Sequence, residues 1–172
     1  MFLRNDFMTL RALEPEDLEI MYRWENDSSL WMYGSTMEPY SRYTIKQYIA
    51  NSDKIIYEKK HLRLMIELKD KSVVGCIDLF DFDAHNSRAG VGVLIDSAFQ
   101  HQGYATAALE LLCRYAFDFL NLHQLYAHIP TINSYSLKLF EKNGFTQCGL
   151  MRDWIRNGDR YLDVAIYQKT RL

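Results

Sequence analysis

The stretch from residue 89 to residue 130 limits what this chain can fold into more than any other. Ala89-Gly90-Val91-Gly92-Val93-Leu94-Ile95 is a small, aliphatic run of the kind that forms a strand buried on both faces. A polar loop bearing Gly103 follows, and then the clearest helical pattern in the sequence. Over residues 104–120, Ala105, Ala108, Leu109, Leu112, Ala116, Phe119 and Leu120 make an apolar stripe. Glu110, Arg114 and Asp118 sit opposite at i, i+4 spacing. Gln124 to Ile129 then reads as another strand, closed by Pro130. Two strands joined through a helix pair in parallel, so the chain must build a sheet around one right-handed crossover.

The remaining segments add mostly antiparallel strands to that unit. Met8 to Leu13 alternates like a half-buried strand, and Glu14-Pro15-Glu16-Asp17 begins a helix with proline and acidic groups at its positive end. Residues 42–57 read as a second, amphipathic helix. His61 to Leu68 and Val73 to Phe82 form a hairpin around Lys69-Asp70-Lys71. Asn133 and Ser134 cap a helix that runs to Asn143, where Gly144 stops it. A terminal hairpin turns at Asn157-Gly158. The order β-α-α-β-β-β-α-β-α-β-β predicts an α+β fold: a mixed, mostly antiparallel sheet flanked by helices. With no repeat and no linker-like stretch, residues 1–172 are expected to form one domain.

Charge and composition narrow the partners. A formal net charge of −2 offers no basic surface for phosphate, so nucleic acid is not expected. Arg4 and Asp6 come too early for a secretory signal core, and no apolar run is long enough to cross a membrane. Cys76, Cys113 and Cys148 lie far apart without C-x-x-C spacing, which predicts buried, reduced thiols in a cytoplasmic protein. His61, His85, His101, His123 and His128 lack metal-ligand spacing, and no metal is expected.

The loop Gln100-His101-Gln102-Gly103-Tyr104-Ala105-Thr106 joins the buried strand to the best helix. Unpaired N–H groups and the helix dipole make such a junction a ready anion site. Gly103 would let backbone approach a diphosphate, and Ala105 keeps the first turn small. An ordinary strand-to-helix turn would look much the same. The sequence holds no G-x-x-x-x-G-K-[ST] loop, and Gly90-Val91-Gly92 lacks the third glycine of a dinucleotide fingerprint.

Spacing across the second half of the chain adds a resemblance. Gln100-x-x-Gly103-x-Ala105, then Asn133-x-x-Ser136 and Gly144-Phe145, resembles the GCN5-related N-acetyltransferase (GNAT) superfamily. With Glu38-Pro39-Tyr40, Asn121-Leu122, Leu125-Tyr126 and the closing hairpin, the chain is similar to the bacterial spermidine N-acetyltransferases. The ribosomal-protein N-terminal acetyltransferases are a more distant match. The resemblance implies acetyl-CoA as cosubstrate and a small amine, a polyamine first, or a peptide N-terminus as acceptor. A homo-oligomer is compatible with it, as is a non-catalytic acyl-CoA sensor. Val93, Leu94 and Ile95 would offer backbone groups to pantetheine. The loop from Gln100 to Thr106 (with His101, Gln102, Gly103, Tyr104 and Ala105) would wrap the pyrophosphate. Asn133 and Ser136 would hold the far side, and the thioester would lie where the strands at 89–95 and 124–129 splay apart.

The chemistry asks for more. An amine with a pKa near 10.4 is neutral in only about one molecule in a thousand at pH 7, so its proton has to be removed. Asp78 and Asp81 stand where the family's spermidine enzymes carry acids, and Asp78 is expected to serve the acceptor. Ser136 is the candidate proton donor to the thiolate, with Tyr135 beside it. Two positions depart from the family: Phe140 replaces its acidic tyrosine, and Gly90 replaces a frequent glutamate.

Overall fold

The computed structural model describes residues 2–34 and 36–171. Seven strands form one sheet in the order β1-β2-β3-β4-β5-β7-β6. They are β1 (Met8–Arg11), β2 (Leu62–Leu68), β3 (Val73–Asp83), β4 (Arg88–Ile95), β5 (Gln124–Pro130), β6 (Thr146–Asn157) and β7 (Arg160–Thr170). Every neighbouring pair is antiparallel except β4 and β5. Those two are joined through α4 (Tyr104–Arg114), as the crossover requires.

Helices cover both faces. On one, α1 (Leu18–Glu25) and α2 (Arg42–Ala50) bury Met21, Trp24, Ile45 and Ile49 against Met65 of β2 and Cys76 of β3. On the other, α4 and α5 (Ser134–Lys142) pack onto Ile77, Leu79, Val91, Leu125 and Ala127. In α4 the apolar stripe does as predicted: Ala105, Ala108, Leu109 and Leu112 are buried while Glu110 and Arg114 are exposed.

Several expectations need correction. The helix of residues 104–120 is α-helical only to Arg114; Tyr115–Phe119 widens into a π turn in which Leu120 N–H reaches the Tyr115 carbonyl. There Phe119 leaves the stripe, stacks on Tyr115 at 5.3 Å and is 56% exposed. The helix of residues 42–57 breaks after Ala50, because the side chains of Asn51 and Ser52 take the carbonyls of Gln47 and Ile49. A short α3 (Ile56–Lys59) follows. The last hairpin turns at Gly158-Asp159 rather than Asn157-Gly158, since Asn157 pairs with Arg160 and Gly158 takes the positive φ of 62°. Cys148 is exposed, whereas Cys76 and Cys113 are buried.

Strand β4 changes along its length in a way that matters. It pairs with β3 along its length, from Arg88 to Ile95, but with β5 only at Arg88, Ala89 and Gly90. Beyond Gly90 the two parallel strands separate, so Ala89 to Val91 are buried and Gly92 to Ile95 are only half-buried. The aliphatic run packs into a core layer on each face but has one edge opened, as the splay implied by the resemblance requires.

Candidate active site

The chain leaves β4 through a fixed corner. Asp96 accepts from the Trp24 indole N–H at 2.8 Å, from Arg23 at 2.5 Å and from the Ala98 amide at 3.0 Å. Burial pushes its pKa up, but Trp24, the Ala98 amide and Arg23 outweigh this and the net shift is downward. The Asp96 carboxylate, held by Arg23 and Trp24 of α1, thus anchors the loop that follows.

That loop ends in two left-handed residues, His101 (φ 62°) and Gly103 (φ 84°). Gly103 occupies the N-cap of α4 and has no side chain with which to cap it, so the first-turn N–H groups stay free to face solvent. Nothing lies within 4 Å of where its Cβ would be. By contrast, α5 is capped by itself: the Asn133 side-chain oxygen accepts from Ser136 N–H at 3.1 Å. The two helix starts meet through His101 and Tyr135, edge to face at 5.4 Å. Val93, Ile95, Tyr104 and Leu137 pack around the main core between them, half-buried. Leu94 points to the opposite face. The structure therefore gathers the β4 segment, the loop of residues 100–106 and the start of α5 around the opening between β4 and β5. Gln102, Gln100 and Thr106 belong to the same loop, Gln100 donating to the Ile95 carbonyl at 3.3 Å. Ser136 is half-buried on the first turn of α5. Phe140, one turn further, is only 3% exposed and packs edge-on against Phe145 at 5.0 Å.

The face toward α1 and α2 carries the acids. Asp78 is no free carboxylate: Arg63 grips it through Nε at 2.9 Å and Nη2 at 2.8 Å, and also reaches Glu25 at 2.5 Å. His61 lies 3.7 Å away and shares a 3.3 Å contact with the Tyr48 hydroxyl. Burial raises the Asp78 pKa, and Arg63 and His61 overturn that to hold it below the usual range. Asp81 differs. It has a positive φ of 48° at a bulge in β3, is exposed, and enters none of the described ion pairs.

Phe80 explains Gly90. Its ring covers that glycine so closely that a Cβ there would overlap it, and it meets the Tyr126 ring at 6.0 Å, edge to face. An aromatic pair occupies the space above the last β4–β5 rung. Neither it nor the Glu25–Arg63–Asp78 bridge was expected from the sequence, though Arg63 in β2, the alternation of Asp78, Phe80 and Phe82 in β3 and Tyr126 in β5 carried a signal for both. Among the described residues, no cluster of His, Cys, Asp or Glu could hold a metal ion, and no helix is long and apolar enough to cross a membrane.

A mixed sheet with one parallel strand pair, an edge left open beyond it and an uncapped helix start beside the opening is the arrangement that the resemblance to acyl-CoA-dependent transferases implied. Comparison with known proteins agrees. The family model for the acetyltransferase (GNAT) domain matches residues 8–146. The spermidine N(1)-acetyltransferase of Vibrio cholerae is 30% identical over 161 residues, covering 93% of this chain and 91% of that protein. A solved structure of spermidine N-acetyltransferase from Vibrio cholerae, in complex with CoA and spermine, superposes with a TM-score of 0.86 at 26% identity, covering 96% of each chain. A dodecameric structure of that enzyme in an intermediate state superposes at 0.79 and 27% identity, covering 96% of this chain and 95% of that one. The chain belongs to the GNAT acetyltransferase family. It is an acetyl-CoA-dependent N-acetyltransferase.

Proposed function

We propose that this enzyme acetylates a primary amino group of a small polycationic amine of the spermidine kind. The observation that carries this reading is a groove of about 440 Å³ over the paired ends of β4 and β5, which reaches the opening at His128. It is lined by Asp81, Asp83, Arg88, Gln124, Tyr126 and His128. Asp83 is engaged by Arg88 at 3.2 Å, which leaves Asp81 to face a cation. Aromatic faces such as those of Tyr126 and Phe80 attract ammonium groups as well. The similarity to spermidine acetyltransferases over nearly the whole chain supports the same acceptor.

In this reading the β4 backbone at Val93, Leu94 and Ile95 pairs with pantetheine. The N–H groups around Gly103, Tyr104, Ala105 and Thr106 take the pyrophosphate, with Gln100, His101 and Gln102 at its rim. Asn133 sets the start of α5, and Ser136 there donates a proton to the departing thiolate. Residues 1–172 act as one catalytic unit, and copies assemble as the dodecameric relative does.

A thiol-release assay with acetyl-CoA and a panel of amines tests the acceptor. Polyamines are expected to give the highest kcat/KM. A clear preference for peptide N-termini or amino sugars would overturn the assignment, and binding of acetyl-CoA without thiol release with any amine would favour a sensor.

A further inference from the structure

The amine must lose a proton before it can attack, and several groups along the acceptor face are unsuited to take it. Gly90 has no side chain, and Phe80 fills the space above it. Asp78 is tied by two hydrogen bonds to Arg63. Burial first, and then Asp81, raise the Tyr126 pKa, so it remains a phenol. His61 is already shared between Tyr48 and Asp78.

Strand register singles out another group. Gly90 pairs with Tyr126 in the last parallel rung, so position 128 on β5 corresponds to position 92 on β4, where the strands have parted. Gly92 in turn pairs with Asp78 on β3. Leu125, Ala127 and Ile129 point into the α4 side of the core, which turns Tyr126 and His128 to the acceptor face. At the level of Gly92, then, Asp78 stands on one bank of the opening and His128 on the other, with the edge of the Phe80 ring 3.9 Å from where a Gly92 side chain would begin. His128 is exposed, and its ring lies 5.4 Å from that of Tyr126.

We infer that His128 is the proton acceptor for the amine, working from the β5 side of the split. This rests on the enzyme acetylating an amine. An imidazole ring nitrogen takes one proton from the ammonium group and passes it to solvent. The freed nitrogen forms the C–N bond at the thioester carbonyl. As the C–S bond breaks, sulfur leaves with its electron pair and takes the Ser136 hydroxyl proton, which the second nitrogen-bound proton replaces, giving the amide, CoA thiol and one released proton. The charged and titratable groups around His128 are Asp81 and Asp83 from β3, Arg88 from β4 and Tyr126 from its own strand. Asp78 adds a charge across the opening, and β7 faces it with the neutral Ile166.

The test is the pH profile of kcat/KM for the amine in wild type, His128→Gln and His128→Ala, with exogenous imidazole added to the last. Wild type should show an ascending limb, set by loss of a proton from the group that accepts the amine's proton. Both variants should lose that limb and about 10²-fold in kcat, as removal of a general base does, while acetyl-CoA affinity and melting temperature stay the same. Imidazole should restore rate to His128→Ala. Variants that keep the limb, or lose rate without imidazole rescue, overturn the role of His128 and leave amine acetylation intact. Absence of thiol release by wild type with every amine overturns the acetylation reading itself, and His128 with it.

Discussion

The ring of Phe80 lies directly over Gly90, so the two positions cannot both carry large side chains. Overpacking of this kind costs about 1–3 kcal/mol. Gly90→Ala should therefore lower the melting temperature by several degrees, at roughly 2–4 °C per kcal/mol for a chain of this length. In a Phe80→Ala background the same change should cost almost nothing. A double-mutant cycle by thermal unfolding measures the coupling, and additive effects would show that the ring moves aside freely.

Arg63 and Asp78 should have opposite effects on the acceptor. Replacing Asp78 by Asn leaves Arg63 with Glu25 alone and adds net positive charge to the acceptor face. KM for a triamine should rise several-fold. Arg63→Gln frees both carboxylates, and KM should fall. Acetyl-CoA affinity, measured by calorimetry, should be unchanged in both. Shifts of the same sign would mean the bridge acts through folding alone. Both variants should also melt earlier than wild type, because each leaves a half-buried charge without its partner.

Gly103→Val tests the cofactor loop. The site has room for the side chain, but φ of 84° is a conformation that a β-branched residue resists. The loop should reorient and the valine should intrude where the diphosphate is proposed to lie. Affinity for acetyl-CoA should drop at least tenfold with the fold retained. Unchanged affinity would reduce the loop to a simple turn.

Ser136→Ala addresses the leaving group. Phe140 sits in the core and has no proton to give, and Ser136, half-buried on the preceding turn, is the hydroxyl proposed to act instead. A fall of tenfold or more in kcat at constant KM is expected. If the rate is unaltered, the CoA thiolate, with a pKa near the ~8.5 of a cysteine thiol, departs without help.

Acid should loosen the α1 face. Asp78 and Asp96 both have folded-state pKa values below their unfolded ones. Their contribution is therefore complete above the unfolded value of about 3.9 and is lost as pH falls through the lower folded values. Stability should be flat with respect to these two groups from pH 7 to about 5 and decline below about 4. Asp96→Asn should shrink that decline, and the fluorescence of Trp24, bonded to Asp96, should report it. An undiminished decline in the variant would assign the acid sensitivity elsewhere.

Much of this was legible in the sequence because it depends on local rules. The 3.6-residue stripe of α4, the Asn133 cap and Gly103 at a helix start each announce themselves within a few residues. What stayed hidden depends on register. Leu68 bonds to Ser72 across the β2–β3 turn, and continuing that pairing would set Arg63 opposite Ile77. A bulge beside Ile66 and Glu67 shifts the count by one, and Arg63 meets Asp78 instead. The opening at Gly90 was implied by the family resemblance and not by the run itself: an aliphatic run looks alike whether its neighbour stays or leaves, because periodicity records faces and not partners.

The unfinished edge of β4 has a thermodynamic corollary. From Val91 to Ile95 no β5 strand pairs with it, so the folded chain holds a row of backbone groups in reserve. A cosubstrate that completes this row binds the native state and not the unfolded one. Its concentration then adds to stability as RT ln(1 + [L]/Kd), about 2.7 kcal/mol at a hundredfold excess over Kd. Resistance to heat and to proteolysis becomes a gauge of acetyl-CoA supply, and the chain lasts longest where it has most to transfer.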